Sequence, residues 1–128
     1  MDKTVFVSGI FFGVLAVILG AFGAHGLERL VEADAIRTWE TGVTYQMYHA
    51  LLLLLLTNVK TIPVAHKKWI CYAVVAGIIL FSFSIYGLAT NSLTSFDFKK
   101  IGFVTPIGGL LFILGWVLFG IQYWRHGQ

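Results

Sequence analysis

Charge is what this sequence has least of. Only 12% of its 128 residues are charged, against roughly 25% in an ordinary soluble domain, while 58% are hydrophobic. That leaves too little polar surface to hold the chain in water, and its long apolar runs call for lipid as the solvent. Cysteine is almost absent. The single Cys71 excludes an intrachain disulfide, and its place inside an apolar run marks it as a buried, inert thiol. The sequence also lacks a zinc-ligand spacing, a serine nucleophile elbow, a phosphate loop and a haem-attachment motif. No enzyme, metal or cofactor is therefore expected. The net charge of +3 is spread over loops and ends, which suits anionic lipid headgroups and gives no nucleic-acid module.

What is present is a set of apolar runs of membrane length. Residues 5–24 carry no charge and would span about 30 Å as a helix, the thickness of a bilayer's hydrocarbon core. The run is longer than the roughly 7–15 residues of a signal-peptide core, and further spans follow, so it reads as a retained first helix. Comparable spans cover 39–59, 69–89 and 106–124. The expected fold is all-α: a single domain over 1–128, a polytopic four-transmembrane-helix bundle.

End signals support these limits. Trp39, Trp69, Tyr72, Tyr123 and Trp124 fall at span ends, where amphipathic rings sit between headgroups and acyl chains. Thr105 before Pro106 reads as a capped helix start, and Pro63 ends any helix entering the second connection. In the first connection Leu27, Val31, Ala35 and Trp39 recur every fourth residue among charges, which predicts a short interfacial helix between helices 1 and 2. The third connection, 90–105, reads as an irregular loop. Lys3, Lys60, Lys67, Lys68 and Arg125 on the side of both termini outnumber Arg29, Arg37, Lys99 and Lys100 opposite, which places both termini in the cytoplasm.

Within the spans, small residues recur at spacings of three and four. Gly9, Gly13, Ala16, Gly20 and Ala24 line one face of the first helix. Ala73, Gly77, Ser84 and Gly87 do the same in the third, broken at Leu80, and Gly108 and Gly115 stand a heptad apart in the fourth. Lipid tails give little hydrophobic drive between helices, so close approach across small residues must supply the attraction. These faces predict helix packing. Trp116 lies mid-span beside the glycines, and its indole N–H needs an acceptor.

The second span differs. Gly42, Gln46 and His49 share one face, flanked by Tyr45 and Tyr48. An unsatisfied polar group in hydrocarbon costs several kcal/mol, so this face should turn inward. His49, Gln46, Tyr45 and His25 are the candidates for binding a ligand or a proton, with a purely structural interhelical bond as the competing reading of His49. His25 ends the first helix and stands about 15 Å from the depth of His49 if the second helix starts at Trp39, so the two cannot share a metal. His66 and His126 read as solvated.

Three segments carry a resemblance: GAFGAHGLE at Gly20 to Glu28, YQMYHALLLL at Tyr45 to Leu54 and TPIGGLLFILGW at Thr105 to Trp116. In that order they resemble the small bacterial membrane proteins of the YwdK and YgdD type, the domain of unknown function 423 family, with eukaryotic relatives among small mitochondrial transmembrane proteins. The resemblance implies a four-helix protein of the inner membrane and carries no activity. The chain departs from the pattern at Ser82-Phe83-Ser84-Ile85-Tyr86, where a stretch richer in small residues is expected and Phe83 stands against close packing.

The function expected from all this is a non-enzymatic structural or accessory component of the membrane, a homo-oligomer or a subunit of a larger complex in the lipid bilayer. The alternative is a small-solute, ion or proton transporter or channel, built as an oligomer around the polar site of the second helix.

Overall fold

A computed structural model describes residues 2–127. Four long helical rods account for most of them. The first is α1, Asp2–His25. The second is α2, Ala33–Asn58, and the third runs unbroken from α3, Val64–Gly77, through a π-helical segment, Ile78–Phe83, into α4, Ser84–Ala89. The last is α5, Val104–His126. Asp2–Arg29, Val64–Ala89 and Phe98–His126 are long and apolar enough to cross a membrane. α2 has the length, 26 residues or about 39 Å, but its charges, Gln46 and His49 make it the least apolar of the four.

The rods pair as two antiparallel hairpins. In the first, Gly9 and Gly13 of α1 lie against Ala50 and Leu54 of α2, Gly20 against Val43 and Gly23 against Trp39. In the second, Gly115 of α5 meets Val74, and Gly108 meets Leu80 and Phe81. α2 and the third rod lie in the middle, with α1 resting mainly on α2 and α5 mainly on the third rod. The main core fills the space between, from Val5 and Phe12 through Leu53 and Leu56 to Ile70, Val74, Ile78 and Phe112. Apart from Ala24, which is exposed, the three small-residue faces are thus spent on contacts within the chain.

The π segment explains the break in the third stripe. Gly108 presses against backbone there, since a β-carbon on it would lie 2.3 Å from the Phe81 nitrogen and 2.6 Å from the Leu80 carbonyl carbon. The wider turn rotates the helix that follows, as such bulges do, so that Ser82 and Tyr86 face α2 while Ser84 faces Thr105 of α5 at 2.6 Å. Phe83 tilts outward against Phe12 and Tyr86.

Several end signals are used differently from expectation. The stretch predicted as a separate interfacial helix divides into one 3-10 turn, Leu27–Arg29, and the first turns of α2, because Leu27 is drawn into a small core with Trp39, Tyr86 and Ala89. Trp39 is no headgroup anchor: its ring is buried, and its N–H donates to the Leu19 carbonyl at 2.8 Å. Trp69, Tyr72, Tyr123 and Trp124 are exposed. α5 starts at Val104, so Thr105 lies inside the helix and bonds to Ser84 in place of capping. Pro106 still falls in the first turn, where a missing N–H costs little. The third connection is ordered by two 3-10 turns, with Asp97 accepting from the Lys99 N–H at 3.1 Å.

Candidate functional site, the polar face of the second helix

The 3.6-residue repeat brings Gly42, Gln46 and His49 to the inner side of α2, and all three are buried. Gln46 is fully enclosed and ties three helices together. Its amide Nε2 donates to the Phe12 carbonyl of α1 at 2.9 Å, and its Oε1 accepts from the Tyr86 hydroxyl of α4 at 2.7 Å. Gly42 is small enough for the Tyr86 ring to lie beside it: a β-carbon there would come within 2.7 Å of Cε1. The Gly42 carbonyl accepts a second bond, from the buried Ser82 hydroxyl at 2.8 Å.

His49 is held from three sides. Its ring stacks on Phe112 with centroids 3.6 Å apart, Nδ1 lies 2.7 Å from the Tyr45 carbonyl, and Nε2 lies 3.1 Å from Trp116 Nε1. An indole N–H can only donate. Nε2 must therefore present a lone pair, and the proton sits on Nδ1, donating to Tyr45. The hydrogen-bond partners assign the neutral tautomer. A proton added at Nε2 would face another N–H, so His49 could pass a proton only after the Trp116 bond had broken. Trp116 itself is half exposed on the outer side of α5, and its one polar atom is aimed inward at His49.

The other candidates stand apart. Tyr45 contributes its carbonyl to His49 while its ring lies exposed beside Tyr48 and Phe81. His25 ends α1 and is exposed. Among the described residues, no three of His, Cys, Asp and Glu converge as metal ligands would.

One charged pair escaped the sequence reading. Lys67, at 1% exposure, lies 3.3 Å from Asp2 Oδ1 and joins the start of α3 to the start of α1. A buried ammonium needs a counterion. The available signal was that Asp2 is the sole acid among the charges grouped with the termini and the second connection. At the same end, His66 and His126 are half-buried and stack on each other at 5.0 Å, a correction to the expectation that both are solvated.

A family described as "Protein of unknown function (DUF423)" matches residues 19–109, which takes in the first two motifs and the start of the third. A UPF0382 membrane protein of Staphylococcus aureus strain bovine RF122 / ET3-1 is 39% identical over 116 residues, 91% of each chain. That of Staphylococcus saprophyticus is 40% identical over 116 residues, 91% of this chain and 92% of the relative. A third, of Staphylococcus haemolyticus, is 35% identical over 123 residues, 96% of this chain and 97% of the relative. No solved structure matches the chain.

Proposed function

The chain belongs to the DUF423 family of membrane proteins, and from that footing we propose that it is a non-enzymatic structural or accessory component of the bacterial inner membrane. In this reading all four rods cross the bilayer, α2 included, both termini lie in the cytoplasm, and the 3-10 turn with the first turns of α2 lies at the opposite interface. The likeness to the YwdK and YgdD type, and to small eukaryotic relatives, belongs to the same reading. The protein acts by associating with itself or with a larger complex.

The observation that carries this is the closure of the α2 polar face. Gln46, His49 and Ser82 each have a hydrogen-bond partner within the chain, which is how buried polar groups serve as interhelical glue. A site built to pass a solute would leave donors or acceptors to exchange for it. The test is flux in proteoliposomes, with wild type beside His49→Ala. The expected outcome is no proton or ion flux from either and a lower unfolding temperature for the variant. Flux that disappears in His49→Ala would overturn the proposal.

A single feature favours the transporter reading. The π segment Ile78–Phe83 runs directly beside Gly42 through Ser82, and its Phe81 ring meets Phe112, which stacks on His49; π-bulges are frequent at functional sites. The same flux measurement decides it.

A further inference from the structure

α2 carries two stripes of alternating three and four spacing, back to back. The inner one, Trp39, Gly42, Gln46, His49, Leu53 and Leu56, is buried throughout. The outer one, Arg37, Thr41, Thr44, Tyr48, Leu51 and Leu55, is exposed throughout. That spacing is the seam along which two helices pack, and this chain fills only one of the two.

Before it gives way to Leu51 and Leu55, the outer seam carries hydroxyls where lipid would require apolar side chains. α1 gives its depth: the Phe12 carbonyl bonds to Gln46, and Gly13 lies against Ala50. Tyr48 is therefore level with the middle of α1, at 56% exposure. Thr41 satisfies its hydroxyl on the Arg37 carbonyl. The hydroxyls of Thr44, Tyr45 and Tyr48 have no partner among the described residues, and acyl chains offer none.

The chemistry of the seam matches itself. A hydroxyl both donates and accepts, so a row of hydroxyls is complementary to an identical row. Arg37, which within its own helix pairs with the exposed Asp34, and Glu40 bring opposite charges one turn apart, beside a groove of about 330 Å³ lined by Arg37, Glu40, Thr41, Thr44 and Tyr45. We propose that a second copy of this chain occupies the outer seam of α2. Two copies related by a two-fold axis along the membrane normal pack α2 on α2. Their Thr44 and Tyr48 hydroxyls pair near mid-depth, and Arg37 of each faces Glu40 of the other. Such an interface is isologous and closed. The inference rests on the reading of the protein as a self-associating component and names the surface that does it.

Cysteine crosslinking in native membranes tests this, in a Cys71→Ala background that removes the single native thiol. Thr44→Cys and Tyr48→Cys are expected to give a crosslinked dimer, whereas Val14→Cys and Ile113→Cys, exposed on α1 and α5, remain monomeric. Tyr48→Phe, which deletes one exposed hydroxyl and leaves the fold intact, should reduce dimer at Thr44→Cys. Arg37→Glu should do the same, and adding Glu40→Arg should restore it. Dimer at Val14→Cys or Ile113→Cys equal to or above that on α2 overturns the assigned surface and leaves self-association standing. Adducts to other proteins alone overturn the second copy while the accessory role survives, and His49-dependent flux would remove the accessory role itself.

Discussion

The two hairpins use the same glycine spacing against different kinds of neighbour. Across α1 and α2 the glycines meet side chains: Gly9 the Leu54 methyl, Gly13 the Ala50 methyl, Gly20 a Val43 methyl and Gly23 the Trp39 ring. Across α5 and the third rod, Gly115 and Gly77 likewise meet side chains, those of Val74 and Phe112, but Gly108 meets backbone. A side chain can turn aside when crowded, but a helix backbone can yield only if the whole rod shifts. The second interface is therefore rigid at Gly108 where the first is mostly tolerant, although nothing in the 3-4 spacing distinguishes them. The join between the hairpins is of a third kind, polar, held by Gln46 and Ser82.

The strongest way to break this comparison is Gly108→Ala. The new methyl would lie 2.3 Å from the Phe81 nitrogen, and the expected loss is about 3 kcal/mol or more of unfolding free energy, measured by reversible denaturation in mixed micelles. A loss no larger than that of Gly9→Ala would show that the π segment yields and is not rigid. Next comes the join. Gln46→Leu strands the Tyr86 hydroxyl and takes from the Phe12 carbonyl the bond it accepts beyond its own helix, for an expected loss of about 1–3 kcal/mol. Adding Tyr86→Phe should recover part of it, and strict additivity of the two substitutions would deny the coupling.

The smallest effects sharpen the tolerant interface. Gly9→Ala crowds Leu54 Cδ2 at 2.8 Å and the Ala50 carbonyl at 3.0 Å; because the nearer atom ends a flexible side chain, a loss of about 1 kcal/mol is expected. Gly120→Ala meets nothing within 4 Å and should stay within about 0.5 kcal/mol of wild type. Thermal unfolding of the two variants side by side checks the pair, and a Gly120→Ala loss matching that of Gly9→Ala would point to a general intolerance of α-helical glycine positions.

Much of the candidate site was legible before the structure. The spacing of Gly42, Gln46 and His49 required an inward polar face, and the mid-span indole of Trp116 required an acceptor. That His49 is the acceptor was not readable, because 67 positions separate the two residues and no periodicity links them. Trp39 was misread for a related reason: a tryptophan at a span end can anchor in headgroups or plug the gap above a glycine, and only the placement of Gly23 and Leu19 chooses. The buried Lys67 depended likewise on Asp2 being brought across from the other hairpin.

By itself, the sequence determined the helical class, the lengths of the apolar runs and the faces on which small and polar residues fall, because each is a property of a single segment read at the period of its own backbone. The tertiary structure decided which face meets which. It set the π widening opposite Gly108, the tautomer of His49, the burial of Lys67 and the outer seam of α2 that this chain leaves open, since these arise only where segments distant in sequence come within the reach of one atom's contact or one hydrogen bond.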